Sequence, residues 1–236
     1  KACKFFSSVP NVIISNSLSG EVFHKNLGFN NNNFKTVLNG INTEKFKPNP
    51  LYRRNFRKLW KIKDSTKVFL CIARVDPMKD HTTLLKAFCE ARKINKDIIL
   101  FLVGNKTHTF SDMEGVIPLG ISKKVEEIYP GADFIISSSA FGEGFSNVIA
   151  EGMSAGLIPI ATNVGDAKMI MDGNGILVKP QDVTGLKIAI NKLAIMDKNI
   201  LENKKRETRK RIISKYSRSQ MLFSYNQIYK ELVDNL

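Results

Sequence analysis

The chain has 236 residues, is 43% hydrophobic and 25% charged, and carries a formal net charge of +14. That balance excludes a disordered polymer and leaves room for one large domain, or one domain with part of another. Its apolar runs fall short of the 18 or more residues of a membrane span, and three cysteines, Cys3, Cys71 and Cys89, make no even disulfide framework.

The chain opens at Lys1 rather than Met and is read as a trimmed piece, with Ser7, Ser8, Pro10 and Asn11 breaking any signal-peptide core. Asn11 to Ser15 predicts a short buried strand. Ser17 to Gly28 has helical spacing, with Leu18, Val22, Phe23 and Leu27 on one face and Gly28 as a stop. A turn at Asn30 to Asn33 leads to a strand over Phe34 to Leu38, closed by Asn39-Gly40. Asn42 to Pro50, with two prolines and few apolar residues, is read as a linker between domains.

After it the pattern becomes regular. A basic helix over Leu51 to Ile62 holds the single Trp60. Lys67 to Ala73 is a strand, and Asp80 caps a helix running to Ile94. Strands follow at Asp97 to Val103, Val116 to Leu119, Ala132 to Ser137, Leu157 to Thr162 and Gly175 to Val178. Helices are expected at Lys123 to Tyr129, Ser146 to Ala155, Asp166 to Met171 and Asp182 to Met196, and two further basic helices finish the chain. Alternating strands and helices imply an α/β fold: a Rossmann-like, doubly wound parallel sheet with right-handed crossovers. Cys71 in a strand and Cys89 on a helix are expected to be buried as small hydrophobes, in a reducing cytoplasm.

Six basic residues fall in Arg53 to Lys63 and nine more in Lys198 to Arg218. They are either solvated helix faces or an attraction for an anionic surface, phospholipid or a phosphorylated lipid acceptor. Nucleic acid is not expected, because the basic runs lack a recognition motif with interleaved aromatics.

In such a sheet, ligands bind beyond the carboxyl ends of the strands. Arg74, Gly104, Ser137 to Gly144 and Thr162 to Gly165 all follow predicted strands. Arg74 and Lys79 are either loop cations in solvent or holders of a diphosphate, whose leaving charge they would stabilise. Gly142, Gly144, Phe145 and Ser146 precede and open a helix whose free amides suit a phosphate or a polar sugar edge; the plain alternative is a turn capped by Ser146. Glu143 in that turn would repel phosphate, so a functional Glu143 faces sugar hydroxyls. Glu151 lies among Val148, Ile149 and Met153; it is an exposed helix residue or a buried carboxylate that takes donors from a ribose. Asn163 to Asp166 is read as pocket wall. His24, His81 and His108 lack ligand partners at metal spacing, so no metal site is expected.

These residues resemble the retaining glycosyltransferases of family 4, also called glycosyl transferases group 1. The resemblance runs from about Asn11 to the C-terminus. It rests on Glu143 and Glu151 in a Glu-x7-Glu element followed by Gly152-Met-Ser-Ala-Gly-Leu-Ile-Pro-Ile-Ala-Thr162. Ala73-Arg-Val-Asp-Pro-Met-Lys-Asp80, Val37-Leu-Asn-Gly-Ile-Asn42 and Leu102-Val-Gly104 support it. It implies the C-terminal, donor-binding half of a GT-B fold. Residues 1–45 would be a remnant of the N-terminal acceptor domain and hinge, 46–215 the Rossmann-like nucleotide-sugar domain, and 216–236 a C-terminal helix. It further implies that Arg74, Lys79 and Glu143 carry catalysis. Gly144, Phe145, Ser146 and Asn147 would position the sugar through their amides, Gly104 would line the site, Glu151 would hold the ribose, and backbone near Ile121 would meet the base.

The expected ligand is a nucleotide sugar, UDP first and GDP next, with no metal or other cofactor, and transfer retains the anomeric configuration. Gly165-Asp166 with Lys168 departs from the family's Gly-Gly and later Glu, and Lys168 receives no role. The N-terminal acceptor domain is nearly absent. The isolated chain is therefore expected to bind nucleotide and to transfer poorly, as part of a cytoplasmic hexosyltransferase peripheral to the inner membrane face and active in surface polysaccharide synthesis. The alternative is a nucleotide-binding domain without catalysis.

Overall fold

The computed structural model describes residues 2–30, 32 and 34–234. A short helix α1 (Ala2–Phe5) precedes strand β1 (Ile13–Ser15), helix α2 (Leu18–Asn26) and strand β2 (Phe34–Thr36). The two strands pair in parallel, Ile13 opposite Phe34. Ser17 caps α2, its hydroxyl accepting from the Gly20 amide at 3.0 Å. Gly28, in the left-handed region at φ +83°, ends it as expected. The expected Asn30 to Asn33 turn lies partly outside the described residues. The apolar face predicted for α2 is uncovered, with Leu18, Val22, Phe23 and Leu27 all exposed. A two-stranded sheet offers too little apolar surface to bury them.

The main body begins at α3 (Pro50–Leu59). Asn49 caps this helix through the Leu51 and Tyr52 amides, and Pro50 supplies a preset first turn. Then follow β3 (Lys67–Ile72), α4 (His81–Ile94), β4 (Ile98–Val103), β5 (Val116–Gly120), α5 (Val125–Ile128), β6 (Phe134–Ser137), α6 (Asn147–Ser154), β7 (Ile158–Thr162), α7 (Ala167–Met171), β8 (Ile176–Val178), α8 (Val183–Ala194), α9 (Lys198–Tyr216) and α10 (Arg218–Asp234). The six later strands form one parallel sheet in the order β5-β4-β3-β6-β7-β8. This is the α/β, Rossmann-like architecture expected.

Alternation along each strand makes two cores. Phe69, Cys71, Leu100, Leu102, Phe134 and Ile160 point to the layer of α4 and α8, against Leu84, Phe88, Ala189 and Ile190. Val68, Leu70, Phe101, Val103 and Ile135 point the other way, to Phe56 of α3, Ile149 and Met153 of α6 and Ile212 of α9. Burial on both faces explains why β3 and β4 read as unbroken apolar runs rather than alternating ones. Cys71 is buried as expected, and burial pushes its thiol up to about 12. Cys89 is only half-buried, because α4 turns that position toward its rim.

The segment expected to be a linker is fastened down. Phe46 is buried and meets Tyr129 edge-on at 5.7 Å. The Ser154 hydroxyl donates to its carbonyl at 2.5 Å, and Arg209 donates to the Thr43 carbonyl at 3.2 Å. At the far end the Ile41 amide donates to the Tyr216 carbonyl at 2.7 Å, and the Arg218 amide to the Ile41 carbonyl at 3.0 Å. Helix α10 thus turns back along the N-terminal piece, where Lys35 and Glu231 pair at 3.1 Å. Its Leu222, Phe223 and Tyr229 are exposed, while Ile228 is buried.

One buried charge anchors the base of the sheet. Asp133, just before β6, accepts from the Val68 amide at 3.0 Å and faces Arg53 at 2.8 Å, Lys205 at 3.0 Å and Arg57 at 3.5 Å. Burial alone would raise its carboxyl, but Lys205, Arg53, the Val68 amide and Arg57 together hold it below the usual carboxylate range. A depressed carboxyl contributes stability above its unfolded value and loses it as pH falls through the folded value. Asp133→Ala is expected to cost about 3–5 kcal/mol in urea denaturation at pH 7, because it strands buried cations. The gap between wild type and variant should narrow on acidification; a constant gap down to the acid transition would contradict this account.

Candidate functional site

The sheet reverses its winding between β3 and β6, which are neighbours although matched positions such as Phe69 and Phe134 lie 65 residues apart in the chain. Loops leaving the carboxyl ends of two such strands diverge and leave a crevice, the usual ligand position in open α/β sheets. The loop after β3 carries Arg74 and Lys79, and the loop after β6 carries Glu143.

Local sequence shapes the first loop. Asp76 accepts from the Met78 amide at 2.9 Å, and Pro77 presets a single tight helical turn through Lys79. Asp80 then adopts a left-handed conformation, φ +47°, which aspartate tolerates better than most residues, and caps α4 through the Thr83 amide at 3.1 Å. The second loop is stitched to the first. The Ala140 amide donates to the Met78 carbonyl at 2.8 Å, and the Ser138 hydroxyl donates to the Lys79 carbonyl at 2.9 Å. Gly142, at φ +77°, passes so close to Met78 that a Cβ there would lie 2.7 Å from its sulfur.

Within this frame the Lys79 Nζ lies 2.5 Å from the Glu143 Oε1, and the Ser139 hydroxyl donates to the same oxygen at 2.5 Å. Both charged side chains are largely shielded from water, at 20% and 13% exposure, so the pair is held in place rather than free to sample solvent. Arg74 does not join it. Its side chain is 59% exposed and pairs with Asp76 at 3.2 Å.

Beside Glu143 the chain enters α6. Among the described residues the amides of Phe145 and Ser146 have no protein acceptor, and the Ser146 hydroxyl makes no capping bond. The start of α6 is therefore open to a ligand acceptor. The Phe145 side chain points away into the core, edge-on to Tyr216 at 5.5 Å, so only its backbone faces the site. Asn147 accepts from the Asn39 side chain at 3.0 Å. Gly144 lies against Ser17, whose hydroxyl would be 2.8 Å from a Cβ at that position.

Glu151 sits one turn further along α6 and is half-buried. It accepts from the Tyr129 hydroxyl at 2.9 Å. Burial raises its carboxyl above the ordinary range; the Tyr129 bond and Lys45 pull it back only in part, and Glu126 adds to the rise. Tyr129 is fully buried, and desolvation with the adjacent Glu151 charge lifts its hydroxyl well above its usual value. Gly104, at φ +148°, lets β4 end against the Ala73 carbonyl, where a Cβ would come within 2.1 Å. Ile121 is 72% exposed, and nothing lies within 4 Å of a Cβ built at Gly120, so the backbone after β5 borders open space.

Of the four ionisable residues singled out by sequence, the fold joins Lys79 to Glu143 and gives Arg74 and Glu151 other partners. Two contributors had gone unread, and a third had been read differently. Ser139 holds Glu143, and Tyr129 holds Glu151. The Asp166 carboxylate, expected only as pocket wall, accepts from the Leu18 and Ser19 amides at 2.9 Å each and so ties α2 to the site. A run of three serines ending a buried strand, Ser137 to Ser139, was the available signal for the first.

The family profile described as glycosyl transferases group 1 matches residues 66–195. A lipopolysaccharide 1,2-N-acetylglucosaminetransferase of Salmonella typhimurium is 27% identical over 156 residues, a match covering 58% of this chain and 40% of that protein. Among solved structures, a glycosyltransferase from Rickettsia africae superposes with a TM-score of 0.84 at 21% identity, over 98% of this chain and 68% of that one. Anabaena HepE in complex with UDP and glucose gives a TM-score of 0.84 at 19% identity, over 100% and 66%. The chain thus spans well under half of the curated relative and about two thirds of the structural ones.

Two substitutions test the geometry. Because Glu151 has a raised carboxyl in the folded chain, the native state binds its proton more readily, and stability from this group falls as pH rises past the unfolded value. Glu151→Gln should therefore raise the melting temperature at pH 7 and have less effect at acid pH; calorimetry finding a lower melting temperature at pH 7 would contradict this. Gly165, at φ +58°, leaves no room for a side chain: a Cβ would lie 2.6 Å from the Glu143 and Gly144 carbonyl oxygens. Gly165→Ala should cost about 1–3 kcal/mol in denaturant melts, and an unchanged midpoint would mean that the loop is not held there.

Proposed function

This chain belongs to the glycosyl transferases group 1 family, and we propose that it forms the donor-binding half of a retaining hexosyltransferase. Its donor is a UDP-sugar, and its acceptor is a lipid-linked surface polysaccharide or lipopolysaccharide. The 2.5 Å approach of Lys79 to Glu143 at the reversal of the sheet carries this reading. A cation and a carboxylate already side by side match the two ends of a donor. The diphosphate draws Lys79, and the sugar hydroxyls draw Glu143.

As the bond from sugar to diphosphate breaks, negative charge gathers on the leaving phosphate. Lys79, the exposed Arg74 and the open amides at the start of α6 stabilise that charge more than they stabilise the ground state. Protein cations and amides thereby take the part that a metal takes elsewhere. Glu151, already half-buried, loses its desolvation cost when ribose hydroxyls donate to it. Retention follows from attack on the face that the diphosphate leaves, as the family resemblance implies. A donor half needs an acceptor domain opposite it, and the exposed faces of α2 and α10 suit such a neighbour. The relative named for lipopolysaccharide transfer and the net charge of +14 support a cytoplasmic site of action beside an anionic membrane. Among the described residues no helix is long and apolar enough to cross one.

A thermal-shift panel of UDP-, GDP-, ADP- and CMP-sugars should single out the UDP-sugars. Lys79→Ala should then weaken UDP binding by about 1.5–3 kcal/mol, roughly 10- to 200-fold in Kd. In the chain joined to an acceptor domain, Glu143→Ala should abolish transfer while UDP binding persists. Transfer that survives Glu143→Ala and Lys79→Ala would overturn the catalytic assignment and leave a nucleotide-binding domain.

A further inference from the structure

The two basic runs of the sequence meet at one place, and it is not the donor site. Arg53 on α3 and Lys205, Arg206 and Arg209 on α9 line a cavity of about 320 Å³. Its remaining wall is mostly apolar, with Pro48, Pro130 and Leu157 among the lining residues. Pro130 precedes β6 and Leu157 precedes β7, so the cavity opens at the amino ends of these parallel strands. Lys79 and Glu143 lie at the carboxyl ends.

The charges there do not balance. Asp133, beneath the cavity, already serves Arg53, Arg57 and Lys205. Glu202 is the single carboxylate of the lining; it pairs with Lys205 at 3.1 Å and is itself 54% exposed. Among the described residues Arg209 donates only to the carbonyls of Thr43, Phe46 and Ser154, which satisfy its hydrogen bonds but give it no salt-bridge partner. Burial lowers its guanidinium from the usual value, with Glu44 opposing this at a distance. Among the described residues Arg206 has a single hydrogen-bond partner, Asn203 on its own helix. Five cations therefore share Asp133 and Glu202, with Glu44 further off. Four of these cations are buried or half-buried and Arg206 is exposed beside them; cations in excess attract an anion, and the guanidinium fork suits phosphate oxygens. The cavity volume is that of a small-ligand pocket, and its apolar wall would accept the organic part of such a ligand.

We propose that this cavity is a second, phosphate-binding site, for a phosphomonoester or diphosphate group, separate from the donor crevice. The group could belong to a free metabolite or to a phospholipid headgroup, and the chemistry of recognition is the same.

The test begins with the Arg74→Ala Lys79→Ala chain, in which the donor crevice has lost its cations. Titration calorimetry with inorganic pyrophosphate should still show binding. Arg206→Glu, on an exposed side chain, should weaken it by about tenfold or more, and Glu202→Gln, which removes the one lining carboxylate, should tighten it. The opposite signs separate a site from general damage to the fold. Co-sedimentation with phosphatidylcholine vesicles containing phosphatidic acid, displaced by pyrophosphate, would identify the headgroup as the source; pyrophosphate binding without co-sedimentation would identify a free phosphate. No pyrophosphate binding in the double variant, or binding indifferent to both Arg206→Glu and Glu202→Gln, would overturn the proposal.

Discussion

Everything at the candidate site depends on β3 and β6 being neighbours. The chain winds outward from β3 through β4 to β5, then returns across the sheet and winds the other way through β7 and β8. Right-handed crossovers in opposite directions send the two central loops apart, and the gap between them is where a ligand fits. If β6 lay at an edge, Lys79 and Glu143 could not share a hydrogen-bonding distance, whatever the loops contained.

Adjacency alone would still leave two mobile loops. Here the Ala140 amide, the Ser138 hydroxyl and the tight fit of Gly142 on Met78 make them one unit. Thr162, ending β7, adds a third strand to that unit by donating to the Ser139 carbonyl at 2.6 Å. The charged pair is therefore positioned by backbone and hydroxyl contacts behind it, as preorganised sites require. The N-terminal piece joins the same unit. The Asp166 carboxylate fills the vacant donors at the start of α2, a favourable place for negative charge, and so links residue 18 to residue 166. Movement of α2 would be felt at the loop that packs on Glu143, because Gly165 touches the Glu143 backbone.

The two ends of the sheet carry different electrostatics. At the carboxyl end a lysine and a glutamate balance each other. At the amino end one aspartate is outnumbered by two arginines and a lysine. The first arrangement suits a ligand with both hydroxyls and phosphates, and the second suits an anion alone. A single net charge for the chain conceals this division.

Much of the fold was legible in sequence because its determinants are local. Unbroken apolar runs marked buried parallel strands, and Asp80 and Ser17 marked helix starts that the structure confirms by their capping bonds. The Glu-x7-Glu spacing and the Arg74 to Lys79 loop located the carboxyl-edge residues. Strand order was not legible, since it arises from competition among faces of equal hydrophobicity. Hence the sequence could not say that Lys79 would take Glu143 while Arg74 took Asp76, nor that Tyr129 would support Glu151. The α2 face was legible as a pattern, but its exposure depends on what packs nearby, which no periodicity encodes. The amino acids by themselves determined which segments became strands and helices and which loops carried charge. Tertiary packing decided which loops met, because hydrogen bonds and ion pairs across 50 or more residues exist only after the sheet has chosen its order.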